Sequence, residues 1–198
     1  MLWGPTIIAL ALHASVAQAA KYFIYVSICA IVGRLLAALI AQKLGRRKLG
    51  IAAAFAAAVL LALAGYFNGV IVGGLPMFVV LVAASAFFVD GGLSNITPYT
   101  IEQYGVRLGA RASGLGHAAA GIGKILGPLS LAVIAGTSNV LRPQATAAAV
   151  FPAFLFLACC MLVVGLAFLL LARETHGRAM ALGLEGEQAP ARPSAVAR

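Results

Sequence analysis

The chain has 198 residues, 63% of them hydrophobic and only 10% charged, and its mean hydropathy is +1.03. No ordinary soluble core uses that much apolar sequence, so a soluble enzyme or binding domain is excluded and a membrane protein is implied. The net charge of +9 would suit a nucleic-acid binder, but in a membrane protein basic residues collect in cytoplasmic loops, so no nucleic acid partner is expected.

Six apolar segments follow one another. The first, Leu2–Ala17, ends in Ala17-Gln18-Ala19, which looks like an A-x-A cleavage site. No Lys or Arg precedes Lys21, so the positive n-region of a secretory signal is missing, and the segment reads as part of a membrane helix. The second runs from Tyr22 to Gln42 and the third from Leu49 to Phe67. The fourth, Leu75–Ile101, is broken by Gly91-Gly92 and Pro98. The fifth, Ser113–Gly136, carries Gly114, Gly116, Gly121, Gly123 and Gly127. Such spacing predicts a close-packed helix that bends at Pro128. The sixth is Ala147–Ala172. Residues 177–198 have too few large apolar side chains to fold and read as a disordered tail, leaving 1–176 as one unit. The fold class is all-α, a polytopic helical bundle. Alternating barrel strands are missing from the pattern.

Charge sets the orientation. Lys43, Arg46, Arg47, Lys48, Arg107, Arg111, Arg173 and Arg178 follow the even-numbered segments, eight residues against Lys21 and Arg142 on the other side. The basic side, and with it the C-terminus, faces the cytoplasm. Cys29, Cys159 and Cys160 lie in apolar runs and read as buried structural thiols. No metal-ligand spacing, nucleophile elbow or phosphate loop occurs, so neither a cofactor, a metal nor an enzyme activity is expected.

Ionisable residues inside a bilayer are costly and mark paired or functional positions. Arg34 lies roughly 12 Å, and Asp90 and Lys124 roughly 16 Å, from the cytoplasmic segment ends at about 1.5 Å per residue. Asp90, Ser94 and Thr97 share one helical stripe, as do His117, Gly121 and Lys124, and as do Ser27 and Arg34. These stripes suit an interior pathway. Asp90, Ser94, Asn95, Thr97, His117, Lys124 and Arg34 are its candidate residues, with Asp90 paired to either Lys124 or Arg34 and serving as the titrating group.

Three stretches carry a family resemblance. "ALIAQKLGRRK", Ala38–Lys48, is similar to the loop motif G-x-L-A-D-R-x-G-R-R-K of the major facilitator superfamily; Gly45, Arg46, Arg47 and Lys48 match, while Ala38 and Gln42 replace the first Gly and the acid. "IEQYGVRLGARASGLGHAAAGIGKILGP", Ile101–Pro128, resembles the junction of that family's tenth and eleventh helices through Glu102, Tyr104, Arg111, Gly114, Gly116, Gly127 and Pro128, with Gly105 where Pro is usual. "RETHGR", Arg173–Arg178, resembles the element after the last helix. The branch that these stretches resemble is the sugar-porter-like and metabolite:proton symporter one. The resemblance implies the C-terminal six-helix half of a transporter, with its first helix truncated.

It also implies secondary active transport of a small organic solute (an organic acid, an aromatic acid or a sugar-like metabolite), coupled to protons and driven by alternating access. Gly45, Arg46, Arg47, Lys48, Glu102 and Arg111 would then form a cytoplasmic gating motif. The implied partners are membrane lipid, solute, protons and the missing N-terminal half or another six-helix unit, in the inner (plasma) membrane. An inactive truncated fragment, or a non-transporting membrane partner, is the alternative.

Overall fold

The computed structural model of the chain describes residues 8–9, 11–12, 14–134 and 150–173, without the side chains of 102–103, 105–107 and 131–132. Most of the first segment, the end of the fifth and the tail from 177 lie outside the described residues.

Helix α1, Val16–Leu44, opens on a capping box. The Ser15 hydroxyl accepts from the Gln18 N–H, and the Ser15 N–H donates back to the Gln18 side chain. Ala17-Gln18-Ala19 is therefore the first turn of a helix, with Ala19 fully buried. The 29 residues of α1 reach about 44 Å, more than the ~30 Å hydrocarbon core of a bilayer. Gly45 alone separates α1 from α2, Arg46–Tyr66; its φ of 89° and ψ of 149° lie in a region only glycine occupies comfortably. Arg46, Arg47 and Lys48, predicted as loop, form the first turn of α2, and Lys21 lies within α1.

A small hairpin follows. Strand β1, Ile71–Val72, pairs antiparallel with β2, Leu75–Pro76, through Gly73 and Gly74, both at positive φ as a tight two-residue turn requires. Helix α3 is Met77–Ser94, α4 is Ile96–Ile134 and α5 is Val150–Leu170. Among the described residues four stretches are long and apolar enough to cross a membrane: Val16–Leu44, Arg46–Tyr66, Met77–Ile101 and Val150–Leu170.

Helix α4 is not one straight rod. A Cβ on Gly109 would lie 2.9 Å from the Ile101 Cα, whereas eight residues of straight helix span about 12 Å. The chain therefore turns back between Ile101 and Gly109, giving α4 an outgoing and a returning limb, where the sequence places its fourth and fifth segments.

The bundle packs α2 on α5, α1 on α3 and α2 on α3. Small residues make these seams. Ala53, Ala54, Ala57, Ala58 and Ala64 of α2 are buried, Gly50 of α2 faces the Phe168 ring, and Gly165 of α5 faces the Phe55 ring. Lipid tails are as apolar as leucine, so helices in a bilayer gain from close backbone approach more than from burying large side chains. Phe78 is the large exception, fully buried and edge-on to Phe154 at 5.0 Å between ring centroids. Leucines such as Leu35, Leu39 and Leu170 face outward instead.

Two expectations need correction. The returning limb is not close-packed among the described residues: Cβ atoms on Gly114, Gly116, Gly121, Gly123 or Gly127 would meet open space there. Cys159 and Cys160 lie on exposed surface of α5 and Cys29 is half-buried, since a thiol suits a hydrocarbon-facing surface as well as a core.

Candidate functional site

Arg34 on α1 and Asp90 on α3 meet because their glycine neighbours let the backbones touch. A Cβ on Gly91 would lie 2.9 Å from the Gly33 carbonyl oxygen, and a Cβ on Gly33 would overlap the Phe87 carbonyl. There Arg34 Nη2 donates to Asp90 Oδ1 at 2.5 Å. The acid is only 13% exposed and the arginine 62%. Asp90 Oδ2 is buried with no hydrogen-bond partner among the described residues. Of the two partners the sequence offers Asp90, the geometry selects Arg34. Lys124 sits exposed on the returning limb and makes no ion pair among the described residues. Depth from segment ends put three charges at one level, but it carries no information about which helices cross.

A second cluster lies where α1, α2, α3 and α5 end or begin together. Arg46 Nη1 donates to Asn95 Oδ1 at 2.9 Å, and Asn95 Nδ2 donates to the Gly91 carbonyl at 3.2 Å. Arg47 donates to the Phe168 and Leu169 carbonyls, at 3.4 and 2.7 Å. Those are final-turn acceptors of α5, which carry the negative end of its dipole and have no partner further along the helix. Tyr99 donates its hydroxyl to the Arg173 carbonyl at 2.6 Å. Asn95, a pathway candidate from sequence, is thus buried in a clamp between helix ends. Gly45 sets the angle at which Arg46 and Arg47 arrive. Lys48 and Arg111 are exposed, and the Glu102 side chain lies outside the described residues.

The remaining pathway candidates separate. The Ser94 hydroxyl returns to the Gly91 carbonyl. Thr97 and His117 line a cleft of about 280 Å³ between the start of α4 and its returning limb, together with Leu93, Thr100 and Ser113. A second cavity, about 260 Å³, lies among Phe23, Leu61, Phe78 and Phe154 and is apolar apart from Ser85, whose hydroxyl is bonded to Val82.

Tyr99 went unselected in the sequence, because its partner lies 74 residues away. The Ser15–Gln18 capping box was legible as S-x-x-Q.

A bundle of membrane-length helices, with an acid and a base joined inside the span and small residues at its seams, is the build of a polytopic membrane transporter. The family model of the Major Facilitator Superfamily matches residues 1–198, and the chain belongs to that superfamily, whose members carry small solutes across membranes and are not enzymes. No curated protein and no solved structure shows a significant match.

Proposed function

We propose that the chain is the C-terminal six-helix half of a secondary active transporter of the superfamily. In this reading it moves a small organic solute, an organic acid, aromatic acid or sugar-like metabolite, by alternating access coupled to protons. It works with a second six-helix unit across a shared path, in the inner (plasma) membrane with the basic end and C-terminus in the cytoplasm. The observation that carries the reading is the Arg34–Asp90 pair, whose Oδ2 has no hydrogen-bond partner among the described residues. A proton taken up at Oδ2 neutralises the acid and weakens its hold on Arg34, so protonation is linked to the α1–α3 contact. The Arg46–Asn95 and Arg47–α5 bonds act as the cytoplasmic latch that keeps one conformation closed. The motif order from Ala38 to Arg178 supports assignment to the second half.

The test is uptake into proteoliposomes under an imposed pH gradient, by the chain alone and with a six-helix partner unit. Asp90→Asn is expected to abolish gradient-driven accumulation while leaving solute exchange at equilibrium. Accumulation by Asp90→Asn at the wild-type level would overturn proton coupling through this residue. Absence of uptake in every assembly would favour a non-transporting role.

A further inference from the structure

Serine and threonine hydroxyls within the described helices follow a rule with two exceptions. Ser27, Ser85, Ser94, Thr100 and Ser130 each return their proton to a carbonyl three or four residues earlier. Thr97 and Ser113 make no side-chain hydrogen bond among the described residues. The two are 16 positions apart in the chain, yet both line the one cleft of about 280 Å³ created where α4 turns back. His117 joins them. Its Nδ1 lies 3.0 Å from the Ser113 carbonyl. A carbonyl only accepts, so this contact calls for the proton on Nδ1, and Nε2 makes no hydrogen bond among the described residues. Two hydroxyls and one ring nitrogen thus share a cleft that Leu93 and Ile96 also line with apolar surface, beside Thr97 on the outgoing side.

We propose that this cleft is a holding site for a compact hydroxylated organic carboxylate, on the cytoplasmic side of the transport path; the assignment rests on the transport reading above and narrows its solute class. Thr97 and Ser113 donate to the carboxylate, and His117 Nε2 accepts from the solute hydroxyl. Leu93 and Ile96 cover its apolar part. Electrostatics favour an anion. Asp90, the one carboxylate among the described side chains, is held by Arg34. On the returning limb Arg111 directly precedes the lining residue Ala112, and Lys124 lies a turn beyond the lining residue Ala120 on the His117 stripe; both are exposed. Size favours a small solute. At about 280 Å³ the cleft stands at the lower edge of the range of small-molecule sites.

The test is equilibrium binding of radiolabelled mandelate to the full chain in lipid nanodiscs. Mandelate is a probe with one carboxylate, one adjacent hydroxyl and one apolar ring. Saturable binding is expected, competed by unlabelled mandelate and not by glucose or mandelamide. Thr97→Val and Ser113→Ala should each weaken it about ten- to a hundredfold, the loss of one hydrogen bond to a charged group. Thr97→Ser should restore it, which separates a lost hydroxyl from a misfolded chain, and Ser130→Ala should leave it unchanged. Binding that is absent, competed equally by glucose, or indifferent to both variants overturns the site. Gradient-driven mandelate uptake that ignores both variants also removes the cleft but leaves transport standing. Variant-sensitive binding with no uptake in any assembly keeps the cleft and removes the transport reading.

Discussion

Removing Arg34 leaves both Asp90 oxygens without a hydrogen bond at a depth where water is scarce. Removing Asp90 strands a guanidinium instead. A fully enclosed pair costs about 3–5 kcal/mol when one partner is lost. The Arg34 side chain is 62% exposed on this bundle, so the coupling is expected at about 1–2 kcal/mol, inside the range for contacting residues. A double-mutant cycle of Arg34→Ala and Asp90→Ala, read by thermal unfolding in detergent, measures it. Coupling below a few tenths of a kcal/mol would show that the contact does not matter to the fold. Arg47 acts differently, because its bonds go to the Phe168 and Leu169 carbonyls at the end of α5. Arg47→Ala should cost about 1–2 kcal/mol and speed amide exchange in the last turn of α5, since final-turn carbonyls lose a charged donor. Arg47→Lys should recover only part, because an ammonium keeps the charge but not the planar fork that reaches two carbonyls. Full recovery by Lys would mean that the charge alone suffices.

Glycines in different elements of this molecule answer the same substitution with opposite signs. Gly33 and Gly91 form the α1–α3 crossing, so Gly33→Ala must push the Phe87 backbone away. That overpacking is expected to cost about 1–3 kcal/mol and to weaken the Arg34–Asp90 coupling with it. Gly123 on the returning limb has nothing near its missing Cβ, so Gly123→Ala should raise stability by about 0.5–1 kcal/mol through helix propensity alone. Paired thermal melts check both, and a destabilised Gly123→Ala would mean the limb is packed after all. The contrast also marks what the sequence could tell. Intramembrane charges are rare enough to stand out one by one, and their helical stripes follow from spacing. Which base pairs with Asp90 depends on the helix crossing that Gly33 and Gly91 allow, and that is a property of two segments together. The turn within α4 was legible as the charged stretch around Arg107, but the cleft it makes needs Thr97 and Ser113 brought together across it. Helix starts were misplaced for a local reason: Gly45 reverses the chain in a single residue, so the basic run that reads as a loop is already helix.

At the scale of the molecule, side-chain bonds gather the basic ends on one side. Arg46 reaches Asn95, Arg47 reaches Leu169, and Tyr99 reaches the Arg173 carbonyl, so the α1–α2 junction, the α3–α4 junction and the end of α5 share one surface. The opposite surface holds the β-hairpin, and the Tyr66 and Phe151 rings meet there at 6.5 Å. Among the described residues its flanking charge is Lys21, against Lys43, Arg46, Arg47, Lys48, Arg111 and Arg173 at the basic end. An asymmetry of that size orients short-looped membrane proteins with the basic end inside. The hairpin should therefore face out. In a cysteine-free background, Ile71→Cys, on an exposed hairpin residue, should react with an impermeant maleimide on intact cells. Lys43→Cys should react only after permeabilisation. Neutralising Lys43, Arg46, Arg47 and Lys48 together should make the labelling mixed, because these four supply most of the bias. The reverse pattern in the unneutralised protein would place the latch and the α4 cleft on the outer face, and the direction assigned to both would have to be exchanged.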